Sequence, residues 1–279
     1  MPELAYLENH FLPLDEARVP INDRGYLFAD GIYEVAVTRN GQPFLLAEHF
    51  ARFERSAAAI GLRLPFSFSK LENLINEGIK RAGFVETMVY IQVTRGVENR
   101  RHDYSTDLEP TLLITFRARP EIPEKLRHEG VGIITVPEIR WSRCDIKSIA
   151  LLPNVMMKQR AIEQGRKEAL FVTDAGIIHE GTAANIFLVR DQTLLTPPAD
   201  HHILAGITRN FIIEQARTRG IEVQEKECRR EELLEADEAF ITSSTLDLLP
   251  VVKVDDQTIG SGRPGPMSRT VASFFEKTG

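Results

Sequence analysis

The sequence predicts a mixed protein, α+β or α/β, built from two domains, and three observations predict it. The chain has 279 residues, more than one compact core usually holds. Apolar segments with strand alternation recur between segments with helical spacing along its whole length. Between them RARPEIPEK, with two prolines, little apolar content and mixed charge, reads as a connector over residues 119–124, because such composition favours extended, unpacked chain. A small N-terminal domain over 1–118 and a larger, β-rich C-terminal domain over 125–279 follow.

In the first domain, IYEVAVT after Gly31 alternates as a strand and ends in Asn40-Gly41, a two-residue hairpin signal before the returning PFLL. LAEHFARFERSAAAIG aligns Phe50, Phe53, Ala57 and Ile60 on one helical face and stops at Gly61. Ser69 and Glu72 have capping-box spacing for the next helix, whose apolar face is Leu71, Leu74, Ile75 and Ile79. TMVYIQVTR and TLLITFR complete the domain as strands. In the second domain the strands are VGIITVPEIRW, EALFV, NIFLV and VVKV, and the helices NVMMKQRAIEQG, ITRNFIIEQARTRG and REELLEA.

Hydrophobic residues form 43% and charged residues 27% of the chain, an ordinary composition for a soluble globular protein. The 34 Lys and Arg are scattered against 40 Asp and Glu, net charge −6, which makes nucleic acid and anionic membrane poor partners. MPELAYLENHF lacks the basic start and apolar middle of a signal peptide, and no window is long enough to span a bilayer, so a cytoplasmic location is expected. Cys144 and Cys228 stand in no metal-ligand spacing and read as free thiols, with no metal site expected.

The residues suited to chemistry begin with Lys147 in CDIKSIALLPN. An apolar run on one side suits a partly buried amine that attacks carbonyls, although a strand-end surface lysine fits the same letters. Lys158 shares a polar helical face with Gln159 and Glu163 and reads as solvated. In HEGTAANIF, Glu180 falls in a turn between apolar strands, where an acid serves a ligand or faces water, and His179 points away from it. GITRNFIIEQA opens a helix whose first-turn amides, with the Thr208 hydroxyl, offer a phosphate seat shared by any capped helix. ITSSTLD adds hydroxyls at a strand end. RGVENRRH gathers Arg95, Arg100, Arg101 and His102, either a carboxylate trap or a solvated basic loop. Tyr33 and Tyr90 lie on strands as pocket hydroxyls or core aromatics.

Together, EGTAANIF, LLTPP and HILAGITR, in this order and spacing, resemble the fold-type IV pyridoxal-phosphate enzymes: D-amino acid transaminases, branched-chain aminotransferases and aminodeoxychorismate lyases. The resemblance covers nearly the whole chain from NDRGYLFADGIYEV onward. It implies pyridoxal 5'-phosphate as cofactor, Lys147 as its Schiff-base residue and proton shuttle, and Glu180 as the partner of the ring nitrogen. It further implies that Arg52, Ile207, Thr208, Ser243 and Ser244 bind the phosphate and that Leu204 packs beneath the ring. RRH with Tyr33 resembles the carboxylate trap of D-amino acid transaminases, so Arg100, His102 and Tyr33, with Tyr90 beside them, are expected to bind the substrate. That likeness implies D-alanine- or D-glutamate-type donors, 2-oxo acid acceptors, and a homodimer in which the loop reaches the partner's site.

Val37 departs from the pattern where that group has lysine, as do Thr182, Ala183 and Ala184 where it has serines, and Arg101 within the trap. These bear on substrate rather than cofactor. An L-branched-chain aminotransferase, an (R)-amine transaminase, a lyase of the same family, and a non-catalytic cofactor-binding protein are the competing readings.

Overall fold

The fold is taken from a computed structural model, which describes residues 3–276; the outermost residues of the two expected domains, 1–2 and 277–279, lie outside the described residues. The chain divides into two compact units. The first runs to Pro120 and includes Ile146–Ala150, and the second comprises Glu121–Asp145 and the chain from Leu151 onward.

In the first unit, β1 (Leu4–Leu7), β2 (His10–Pro13), α1 (Arg24–Phe28), β3 (Gly31–Arg39), β4 (Gln42–Pro43), α2 (Leu46–Ala59), α3 (Phe68–Ala82), β5 (Thr87–Thr94) and β6 (Thr111–Ala118) follow in order. The strands form an antiparallel sheet in the order β2-β1-β6-β5-β3-β4. Asn40 and Gly41 both adopt positive φ, 49° and 73°, as a tight hairpin turn requires. The return is short, however: after Pro43 only the Phe44 N–H still bonds Val37. The opening hairpin escaped the sequence reading because Glu8 and Asn9, at φ 50° and 65°, make its turn without glycine. Ser67, not Ser69, caps α3, its hydroxyl accepting the Lys70 N–H at 3.3 Å. The expected box thus sits inside the helix rather than at its start, because Ser67 is the last extended residue. Phe53, Leu71, Ile75, Ile91 and Phe116 fill the core between helices and sheet.

The second unit contains α4 (Glu124–Glu129), β7 (Val131–Pro137), α5 (Leu152–Glu163), β8 (Glu168–Val172), β9 (Ile177–Gly181), β10 (Asn185–Arg190), β11 (Thr193–Thr196), α6 (Ile207–Thr218), β12 (Val223–Glu225), β13 (Cys228–Arg229), α7 (Arg230–Leu234), β14 (Glu238–Ser243), β15 (Asp247–Val254), β16 (Gln257–Thr258) and α8 (Pro266–Ala272). Its mixed sheet runs β12-β11-β10-β14-β15-β7-β8-β9-β13, with β16 on β15. β8 and β10 are buried almost throughout, so they read as continuous apolar runs. Leu170, Ile186, Ile241 and Leu249 form the core.

The sequence placed the Lys147 strip in the larger domain, and the structure places it with the first unit. β4 pairs only with the far end of β3, at Thr38 and Arg39, leaving the near end of that edge uncovered. Residues 146–150 cover it: Ile32 bridges Ser148, the Tyr33 N–H donates to the Lys147 carbonyl at 3.0 Å, and the Ile149 N–H donates to Gly31 at 3.1 Å. Unmatched edge amides and carbonyls seek such partners. Among the described residues no helix is long and apolar enough to cross a membrane.

Candidate active site

In the first unit the candidate site residues lie along β3, α2, β5, the Lys147 strip and the basic loop after β5. The Lys147 N–H donates to Ser56 Oγ at 3.2 Å, and its side-chain amine lies 4.3 Å from the centre of the Tyr33 ring. Among the described residues that amine has no carboxylate partner. Tyr33 stacks on Tyr90 at 5.5 Å, and the Tyr90 hydroxyl donates to Gln92 at 2.6 Å. Burial pushes the Tyr90 phenol above its ordinary range, with the Tyr33 phenol adding to the shift.

On the other face of β3, Glu34 is fully buried between two residues of α2. Arg52 donates to both its oxygens, at 2.7 and 2.8 Å, and His49 Nδ1 lies 2.7 Å from Oε2. Burial alone would favour the neutral acid, but the Arg52 charge and its hydrogen bonds hold Glu34 well below the usual carboxylate range. Burial lowers His49 in turn, outweighing the pull of Glu34, with the Arg52 and Lys147 charges acting in the same direction as burial. Neither Glu34 nor His49 was singled out from sequence; IYEV and AEHFAR read as core strand and helix face.

The basic loop divides. Arg95 is buried, donates to Asp30 at 2.9 Å and to the Ile60 and Gly61 carbonyls at 2.9 and 3.1 Å, and so braces the fold. Arg101 pairs with Asp103 at the surface. Arg100 and His102 remain exposed, flanking Phe28 at 5.2 and 5.7 Å. Their backbone is held by Arg24, which the sequence reading missed: its guanidinium donates to the carbonyls of Arg101, His102 and Asp103 at 2.8, 3.1 and 3.1 Å.

The second unit assembles a group around Glu180, which stands on β9 and not in a turn, because strand pairing extends through Gly181. Arg140 donates to Glu180 Oε1 at 2.6 Å, and Asn185 Nδ2 and the Leu204 N–H each donate to Oε2 at 3.1 Å. Asn185 also reaches the Leu204 carbonyl at 3.0 Å. Gly206 must be glycine here, since an added Cβ would lie 2.0 Å from Asn185 Oδ1. His179, expected to be idle, is buried with Nδ1 at 2.7 Å from Glu138. Glu138 sits at about 2: burial would raise it, but hydrogen bonds from His179 and Arg140 lower it further.

The amides of Ile207 and Thr208 open α6 without intrahelical acceptors. α6 packs against β14, which ends in the Ser243 turn. There Ser243 Oγ accepts the Leu246 N–H at 3.3 Å, Ser244 is half-buried, and Thr242 Oγ1 is buried without a partner. Lys158, expected in water, has its side chain 36% exposed and also pairs at 3.1 Å with Glu168, which is 1% exposed. Thr182 donates to the same Glu168. Cys144 is pushed up to about 11 by burial, which suits packing rather than nucleophilic attack.

Pyridoxal 5'-phosphate chemistry calls for a Schiff-base lysine, an acid for the ring nitrogen and donors for the phosphate; the first unit offers as candidate a half-buried amine without a carboxylate partner among the described residues, and the second an anchored carboxylate and a helix N-terminus. The buried Thr242 hydroxyl, without a partner, fits a polar ligand near the end of β14. Residues 31–254 match the family described as amino-transferase class IV, and the chain belongs to that family of pyridoxal-phosphate aminotransferases.

Curated relatives narrow the likeness. The chain is 42% identical to a D-alanine aminotransferase of Bacillus licheniformis, over 94% of this chain and 92% of that one. It is 38% identical to a D-alanine aminotransferase of Listeria monocytogenes, over 96% and 93%. Among solved structures, a branched-chain aminotransferase from Thermoproteus uzoniensis, described with norvaline, superposes with TM-score 0.88 at 26% identity, covering 98% of this chain and 93% of that one. An Escherichia coli branched-chain aminotransferase shares the fold at TM-score 0.90 and 22% identity, over 100% and 94%.

Proposed function

We propose that this aminotransferase takes the amino group of D-amino acids of the D-alanine or D-glutamate type and delivers it to 2-oxo acids in two half-reactions. The observation that carries the donor class is the 42% identity across 94% of the chain to the Bacillus licheniformis D-alanine aminotransferase. Arg100 and His102, left exposed after Arg95 and Arg101 are committed elsewhere, support it as donors for an α-carboxylate.

Pyridoxal phosphate supplies, when bound, the electrophilic carbon for the donor amine and an aromatic sink for the electrons left at Cα. Lys147 holds the cofactor, and its Nζ then takes the donor's Cα proton as general base. Glu180 keeps a proton on the ring nitrogen, a role supported by the anchoring of its carboxylate by Arg140, Asn185 and the Leu204 N–H. The Ile207 and Thr208 amides, the hydroxyls of Thr208, Ser243 and Ser244, and Arg52 bind the phosphate, and Leu204 packs beneath the ring. Tyr33 and Tyr90 join Arg100 and His102 at the substrate.

The active form in this reading is a homodimer in the cytoplasm. Exposed apolar side chains support a second copy as cover: Ile21 and Tyr26, each 78% exposed, and Leu152 and Val155 on successive turns of α5, 70% and 61% exposed. Two free cysteines support a reducing compartment.

The test is a donor panel of D-alanine, L-leucine and (R)-1-phenylethylamine, each with 2-oxoglutarate. D-alanine should give pyruvate at the highest kcat/KM, and faster turnover of either other donor would overturn the donor class. Lys147→Ala should remain folded and lose turnover altogether; wild-type-like rates would remove Lys147 from its role.

A further inference from the structure

We propose that Arg140 is a positioning residue for Glu180, and that Glu138 and His179 complete its support, so that the aim of the ring-nitrogen acid is set by a closed hydrogen-bonded frame. The inference rests on the reading of Glu180 given above and deepens it.

Glu138 and Arg140 are two residues apart in PEIRW, just past the end of β7. The Arg140 side chain is 4% exposed, and each guanidinium nitrogen is committed. Nε donates to Glu138 Oε1 at 3.0 Å, Nη2 to Glu138 Oε2 at 2.7 Å and to the His202 carbonyl at 3.2 Å, and Nη1 to Glu180 Oε1 at 2.6 Å. The guanidinium lies over the Phe171 ring, 4.3 Å from its centre. A planar fork held this way dictates both the distance and the direction from which a carboxylate is approached. With Oε2 fixed by Asn185 and the Leu204 N–H, both Glu180 oxygens are anchored and the carboxylate plane is set.

His179 closes the frame. Its Nδ1 lies 2.7 Å from the same Glu138 oxygen that receives Nη2, and its ring stacks at 4.7 Å on His202, the residue whose carbonyl also receives Nη2. Removing any member frees Arg140 to turn, and the turn is transmitted to Glu180. Displacements of about 1 Å at a reacting group cost roughly a hundredfold in rate. The role therefore predicts large rate effects from residues that touch neither substrate nor cofactor.

The experiment compares Arg140→Met, Arg140→Lys, His179→Phe and Glu180→Gln in the full-length holoenzyme. Apoenzyme of each is also titrated with pyridoxal phosphate by quenching of Trp141, the single tryptophan. Arg140→Met should lower kcat roughly ten- to a hundredfold with KM for D-alanine little changed, and weaken cofactor binding roughly tenfold. Arg140→Lys, which keeps the charge without the fork, should recover part of kcat. His179→Phe keeps the stack on His202, removes the bond to Glu138, and should cost kcat roughly two- to fivefold. Should Arg140→Met not fold, Glu138→Gln, equal in size, carries the same expectation of lowered kcat and cofactor affinity. Loss in Glu180→Gln beside wild-type kcat and affinity in the other variants would overturn the frame and leave the Glu180 reading standing. Wild-type behaviour of Glu180→Gln would remove that reading and the frame with it.

Discussion

Both units bury a glutamate against an arginine and a histidine, and they do so to different ends. Around Glu34 the group is closed: one carboxylate takes a two-pronged Arg52 and one ring nitrogen of His49, and it is wholly out of water. Around Glu180 two carboxylates share one guanidinium, and the histidine sits on the outer one. The first arrangement matches charge within the group, so its loss falls first on the fold and, in the reading proposed for Arg52, on phosphate binding as well. The second is a carboxylate held in place by a frame, so its loss falls on what Glu180 meets.

The largest effect that separates the two is on stability. Arg52→Met leaves Glu34 buried without its cation and should cost about 3–5 kcal/mol, read from urea unfolding. Arg140→Met should cost less, about 2 kcal/mol, since Glu180 keeps Asn185 and the Leu204 N–H. Equal costs would erase the contrast.

Acid sharpens it next. The folded-state value of His49 lies below its ordinary 6.5, chiefly through burial, so the unfolded chain takes up that proton first. Its contribution is therefore complete above about pH 6.5 and lost as pH falls below it. Glu138 is lowered from 4.5 to about 2 against the pull of burial, so its contribution is present above about pH 4.5 and fades towards about pH 2. Urea midpoints measured on His49→Gln should stay flat where wild type first declines, and the lower decline should remain. A variant that declines with wild type near about pH 6.5 would remove His49 as the cause.

Gly206→Ala should act on the second group alone. Its methyl would displace Asn185, which lies 2.0 Å from the added carbon, and cofactor affinity should fall roughly tenfold while the acid profile of the Glu34 group is unchanged. The smallest effect is expected from Cys144→Ser, whose thiol bonds only the Trp141 carbonyl at 3.2 Å. Wild-type kcat is expected, and a large loss would assign a chemical role to that residue.

Much of the molecule was legible in one dimension. Alternation placed β3, β5 and β6, continuous apolar runs placed β8 and β10, and helical spacing placed α2, α3, α5 and α6, since alternation and helical spacing follow from the local periods of 2 and 3.6 residues. Misreadings came where a boundary depended on a single φ/ψ choice, as at Ser67, or on a turn without glycine, as at Glu8 and Asn9. The candidate lysine, the candidate ring-nitrogen acid and the helix that opens at Gly206 were each ambiguous locally and were singled out together because their contiguous motifs, in this order and spacing, resemble those of a known family.

By itself, then, the sequence pointed, through its resemblance, to the class and the cofactor, and it named the candidate reactive side chains. Tertiary structure alone decided which charges stand together. It put the Lys147 strip on the open end of the β3 edge, paired the partly exposed Lys158 with Glu168, and joined His179 through Glu138 and Arg140 to Glu180. The reason is that periodicity records only which face a residue presents. Ion pairs between residues 40 positions apart, such as Arg140 with Glu180, arise from strand order and from the need of each buried charge for a partner, and no local pattern encodes either.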